Sequence, residues 1–145
     1  MTIDQTFVER NRAATNRIRD LVERLSDQQL QQSVGEHWTV AITLAHLAFW
    51  DRRVLLGLDT VEREDKLNIP VIDISVNDLS LPFWAALPPR VAANLAVATA
   101  AALDERLENF PPALLAELYT HNQRWVERAL HRNAHLDEVE AVLTK

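Results

Sequence analysis

Trp38-Thr39-Val40-Ala41-Ile42-Thr43-Leu44-Ala45-His46-Leu47-Ala48-Phe49-Trp50-Asp51-Arg52-Arg53-Val54-Leu55-Leu56-Gly57 is the stretch that decides the fold. Apolar side chains fall on nearly every side of the helix it would form, which leaves no solvated stripe. A helix of that kind sits at the centre of its domain with other helices around it. Thr39 is placed to cap its start and Gly57 to stop it. His46 is an ionisable residue in mid-helix, with Ile42, Thr43, Phe49 and Trp50 on its own face. A buried imidazole requires a polar partner.

Outward from this segment the pattern stays helical. On the N-terminal side, Phe7, Ala14, Ile18, Leu21, Val22 and Leu25 recur at the three-and-four spacing of an amphipathic helix over 4–25. Ser26-Asp27 then caps a single turn carrying Leu30, and Gly35 breaks the chain. On the C-terminal side, residues 58–90 read as a long connection, in which Asn77-Asp78 caps a short helix that lays Phe83 and Trp84 against the core. A third long helix is expected over 90–109, with Val91, Leu95, Ala98, Ala102, Leu103, Leu107 and Phe110 on one face. Pro111-Pro112 ends it, and 113–118 forms a short piece. The last helix, 127–143, starts near Thr120 or Asn122 as cap. The expectation is one all-α domain over 1–145, a four-helix bundle with a long crossover connection between helices 2 and 3.

Composition agrees. A chain of 145 residues is long enough to bury about 70% of its unfolded surface as one domain. The 48% hydrophobic and 25% charged content is that of a globular chain, and only two glycines occur. A net charge of -6 with scattered basic residues argues against nucleic acid. No apolar run approaches the ~20 residues of a membrane span, and no leader-like segment opens the chain, so a cytoplasmic protein is expected. The absence of cysteine excludes disulfides, thiolate ligands and a cysteine nucleophile.

His131 and His135 stand one helical turn apart on the last helix, so both rings can reach one point. Together with His46 on the central helix they supply three nitrogens across a helix interface. Such a donor set suits Zn, Ni or Fe(II), and three protein ligands leave coordination positions open. Glu127, Asp51 and Glu138 are positioned as partners that orient the rings, while solvated helix charges are the plainer reading of each. Trp50 is a pocket wall one turn from His46; Arg53, two turns away, can meet a carboxylate at the pocket mouth or serve as a helix-end charge. His37 and His121, near helix starts, are set aside as ligands. No phosphate loop, HExxH motif or Ser/His/Asp arrangement is present.

His37-Trp38-Thr39-Val40-Ala41, leading into Leu44-Ala45-His46-Leu47-Ala48-Phe49-Trp50-Asp51-Arg52 and closing with His131-Arg132-Asn133-Ala134-His135-Leu136, resembles the DinB/YfiT-like helical-bundle superfamily. The resemblance implies a four-helix bundle holding a divalent metal through His46, His131 and His135. It also implies a homodimer and a kinship with thiol-dependent enzymes similar to mycothiol-dependent maleylpyruvate isomerase and bacillithiol transferases, in which a low-molecular-weight thiol is co-substrate. The isomerase-like members carry glutamate at one of the two closing positions, where this chain has histidine at both. The implied activity is that of a metal-dependent, thiol-dependent transferase acting on a small molecule. The alternative is a non-catalytic binding, assembly or stress-response bundle whose metal site is structural or vestigial.

Overall fold

Helical periodicity becomes helix over most of the chain. In the computed structural model, which describes residues 3–144, the helices are α1 (Phe7–Arg24), α2 (Asp27–Leu30), α3 (Val40–Glu64), α4 (Val76–Ala86), α5 (Pro89–Glu108), α6 (Pro112–His121) and α7 (Ala129–Leu143). A 3-10 turn at Gln123–Trp125 precedes α7. One feature unseen in the sequence is a two-stranded antiparallel pairing of β1 (Ser33–Val34) with β2 (Trp38–Thr39), turned through Gly35 at φ 71°. The pairing delivers Thr39 to the start of α3, where its hydroxyl accepts from Ile42 N at 3.1 Å.

The apolar α3 is indeed central: α5 and α7 pack against it, and α1 packs against α5 and α7 in turn. Its N-terminal half joins a core with Ile18, Leu21, Ala92, Ala96, Leu136 and Val139; its C-terminal half joins a second with Phe7, Leu103, Leu107, Leu118 and Trp125.

Four local expectations are corrected. Gly57 does not stop α3, which runs on to Glu64 and ends at Asp65 in the left-handed region, φ 52°. Gly57 is instead a close-approach site: a Cβ there would stand 2.6 Å from two ring carbons of Trp125. The connection after α3 is correspondingly shorter, covering 65–75. In α4, Trp84 turns inward but Phe83 is 73% exposed, and the start at Ser75 has no side-chain cap. On α5 the buried row is Ala92, Ala93, Ala96, Ala100, Leu103 and Leu107, while Val91 and Leu95 face outward. Small side chains let α5 approach α3 closely, which the larger valine and leucine would prevent.

Two helix ends are completed from far along the chain. Arg90 donates to Val22 O and Leu25 O, both at 2.8 Å, satisfying carbonyls at the end of α1. Asn11 accepts from Ala129 N at 3.0 Å and donates to Val126 O at 2.8 Å, so the start of α7 is capped by α1. Asn122, the expected local cap, serves the 3-10 turn by accepting from Arg124 N. Among the described residues no helix is long and apolar enough to cross a membrane.

Candidate metal centre

Helix α7 is anchored by a buried row of Arg128, Arg132, Leu136 and Val139. His131 and His135 lie on the adjacent row, ~100° round the helix, at the edge of that buried face. His46, 3% exposed, comes from the facing side of α3. Its Nε2 stands 3.2 Å from His131 Nε2 and 3.1 Å from His135 Nε2, and the three ligand nitrogens all lie within 4.8 Å of one another. The tertiary fold thus brings together the three histidines that the sequence singles out.

This donor set fits a divalent cation. Metal–nitrogen bonds of ~2.0–2.1 Å put neighbouring ligand nitrogens ~2.9 Å apart at a right angle and ~3.4 Å apart at the tetrahedral angle. The two distances from His46, 3.1 and 3.2 Å, fall between those values, while the set as a whole spans up to 4.8 Å. Hydrogen bonding alone satisfies the cluster poorly, because a single Nε2 on His46 faces two others.

Electrostatics favour neutral, ligating imidazoles. Burial, then the charges of His135 and Arg128, pushes His46 down to about 3 against an opposing contact with Asn77. Burial and the nearby Arg128 guanidinium push His131 down to about 2. His135 is lowered by burial, with Glu138 working the other way.

The outer nitrogens are sparsely partnered. His46 Nδ1 and His135 Nδ1 are buried without a hydrogen bond. Glu138 Oε2 is 3.8 Å from His135 Nδ1, outside hydrogen-bond distance. Arg128 Nη2 approaches His131 Nδ1 at 3.4 Å. Once Nε2 of His131 is turned to a cation, Nδ1 carries the proton and that approach joins two donors.

Of the other residues expected at the site, Trp50 and Arg53 are placed there. Both line a cavity of about 510 Å³ that the three histidines also line. Trp50 Nε1 donates to Asn77 Oδ1 at 2.9 Å, and Arg53 Nη2 donates to Pro70 O at 2.7 Å. Burial, then the field of Arg128, lowers the Arg53 pKa. Asp51 and Glu127 are not placed against the imidazoles. Glu127 turns to α1 and pairs with Arg10. Asp51, 1% exposed, accepts from Arg128 Nε at 2.9 Å and Arg132 Nε at 3.1 Å.

Those two arginines, not singled out in the sequence, pack beside the candidate site. Arg132, fully buried, also donates to Asp104 Oδ1 at 2.8 Å and Thr15 Oγ1 at 3.1 Å, while Thr15 bonds Asp104. The network ties α1, α3, α5 and α7 together beside His131. The available signal was an arginine in register with Leu136 and Val139 on an apolar row. Trp38, which helical spacing assigns to the core, also reaches the site: its ring lies 4.8 Å from that of His46 and stacks at 18° on His135. Trp125 and Asn77 join the cavity wall as well.

Residues 10–137 match the DinB superfamily. No curated protein and no solved structure matches the chain.

Proposed function

Since the chain belongs to the DinB superfamily, we propose that it is a four-helix-bundle divalent-metal protein acting as a metal-dependent transferase with a low-molecular-weight thiol as co-substrate. The convergence of the His46, His131 and His135 ring nitrogens in the lining of one cavity carries this reading. His46, His131 and His135 would hold Zn, Ni or Fe(II), which when bound supplies Lewis-acid stabilisation of a thiolate near neutral pH. The protein's part is to keep the imidazoles neutral by burial, to fix α7 against α3 through Asp51, and to shelter the reacting groups behind Trp50, Trp125 and the 65–75 connection. The reading extends to a cytoplasmic homodimer.

The test is metal content after chelator-free purification, compared with His46→Ala and His131→Ala, followed by turnover assays with several small thiols and electrophilic acceptors. One equivalent of metal, lost in both variants, together with thiol consumption supports the proposal. Absence of metal from the parent protein refutes it. Metal retained with no turnover, and stability lost on chelation, would assign the site a structural role instead.

A further inference from the structure

The electrostatics of the cavity wall differ from those of the chain. The protein carries 21 acidic residues against 15 basic ones. None of the acidic residues lines the cavity, whereas Arg53, Arg124 and Arg128 do. Arg128 belongs to a closed set in which two guanidiniums, Arg128 and Arg132, face two carboxylates, Asp51 and Asp104. Arg53 and Arg124 have no such partner: among the described residues neither forms an ion pair, and the side chain of Arg124 makes no hydrogen bond.

Arg53 is held ready. Its guanidinium carbon sits 4.7 Å from the centre of the Trp125 ring and 6.0 Å from that of Trp50, and one nitrogen is fixed on Pro70 O at 2.7 Å. Nε and Nη1 remain free to donate. A guanidinium stacked on aromatic rings and tethered at one corner loses little further freedom on meeting an oxyanion. Beside it the wall is apolar, with Trp50, Val54 and Trp125 from the helices and the 3-10 turn, and Ile72 and Ile74 from the 65–75 connection. Ile72 and Ile74 are 38% and 78% exposed, apolar surface that an organic ligand would cover.

We propose that this cavity binds an organic acid, its carboxylate held by Arg53 and Arg124 and its apolar body packed between Trp50, Ile72 and Ile74. The proposal rests on the reading of this cavity as the reaction site, and it names the class of the acceptor substrate. A volume of about 510 Å³ is that of a site for a small organic molecule. A carboxylate suits two guanidiniums because each offers paired N–H groups in its own plane.

The test compares 4-phenylbutyrate with its neutral amide, 4-phenylbutyramide, by calorimetry at low salt. It uses both chelator-treated and metal-supplemented protein, with metal content measured in each sample. In chelator-treated protein the acid has no metal to ligate, so any preference for it there belongs to the guanidiniums. The acid is expected to bind about tenfold more tightly than the amide, with the preference shrinking at high salt. Arg124→Gln, at an exposed side chain with no partner, should remove part of the preference. Arg53→Gln with Arg124→Gln should reduce it to within about twofold.

Equal affinities, a preference that survives the double substitution, or no binding of the acid up to about 10 mM overturns the inference. Tighter binding of phenyl phosphate than of the acid overturns the assignment to carboxylates. Protein that takes up no metal even when supplemented, yet still prefers the acid, upholds this inference while failing the proposed function. Metal-loaded protein without the preference does the reverse.

Discussion

Replacing Asp51 by Asn should unfasten the site without touching a ligand. The carboxylate is 1% exposed and accepts one bond from each of two buried guanidiniums, Arg128 Nε and Arg132 Nε. Asparagine keeps the shape and one acceptor but turns the other oxygen into an NH₂ that faces a donor. Asp104 still compensates Arg132, and Arg128 is left uncompensated. Removing one partner of a buried pair costs about 3–5 kcal/mol, and the surviving acceptor places this case near the lower figure. Against a total stability of ~5–15 kcal/mol the variant should stay folded at 25 °C with a clearly lowered urea midpoint. Arg128 precedes His131 by three residues and Arg132 follows it by one, so a loosened α7 carries His131 and His135 away from His46. Metal affinity should therefore fall as well. Unfolding is measured on chelator-treated protein, so that bound metal adds nothing to stability, and affinity by competition with a chromophoric chelator. A loss below about 1 kcal/mol refutes the assigned role of the network. A full stability loss with unchanged metal affinity refutes the claim that the network positions the histidines.

Three further outcomes follow from particular contacts. Gly57→Ala drives a methyl into the Trp125 ring; overpacking of about 1–3 kcal/mol, less up to ~1 kcal/mol of gained helix propensity, should leave a net loss that Trp125→Phe partly reverses in the double variant. Additive losses in urea unfolding would count against this contact. In metal-free protein the unfolded chain takes up protons on His46 and His131 below the ordinary value of 6.5, whereas the folded chain holds them neutral down to about 3 and about 2. Stability should thus be fully present above pH 6.5 and fall as pH drops, by up to ~1.4 kcal/mol per pH unit for each histidine, and unfolding curves at pH 7 and 5.5 that coincide would contradict it. Thr39→Ala removes the hydroxyl that caps α3 and should cost about 1 kcal/mol by thermal or urea unfolding; an unchanged midpoint would show that the β1–β2 pairing fixes the helix start without it.

Much of the fold and the heart of the candidate site were legible from local pattern. The run from Val40 to Leu56 is apolar on nearly every side, and that places α3 at the centre. The i, i+4 spacing of His131 and His135 needs only the pitch of a helix to point both rings one way. Side-chain pairings were less legible. Asp51 and Glu127 were matched to the histidines by sequence position, yet each found an arginine instead: Arg128 and Arg132 for one, Arg10 for the other. A carboxylate near both an imidazole and a guanidinium gains more from the permanent charge and its paired N–H donors. Gly57 reads as a helix stop only while Trp125, 68 positions away in the chain, is out of view.

The sequence by itself determined which segments are helical, which helix is central, and which three side chains can ligate a divalent cation. These are local properties, set by periodicities of three to four residues and by the chemistry of single residue types. Only the tertiary structure decided that the alanine row of α5 faces α3, that Asn11 caps α7 from another helix, and that Arg53 and Arg124 are left without carboxylates on the cavity wall. Each depends on groups far apart in the chain meeting at hydrogen-bond or van der Waals distance, and such contacts fall off within a few ångströms. No spacing along the chain encodes them, so they appear only when the helices have packed.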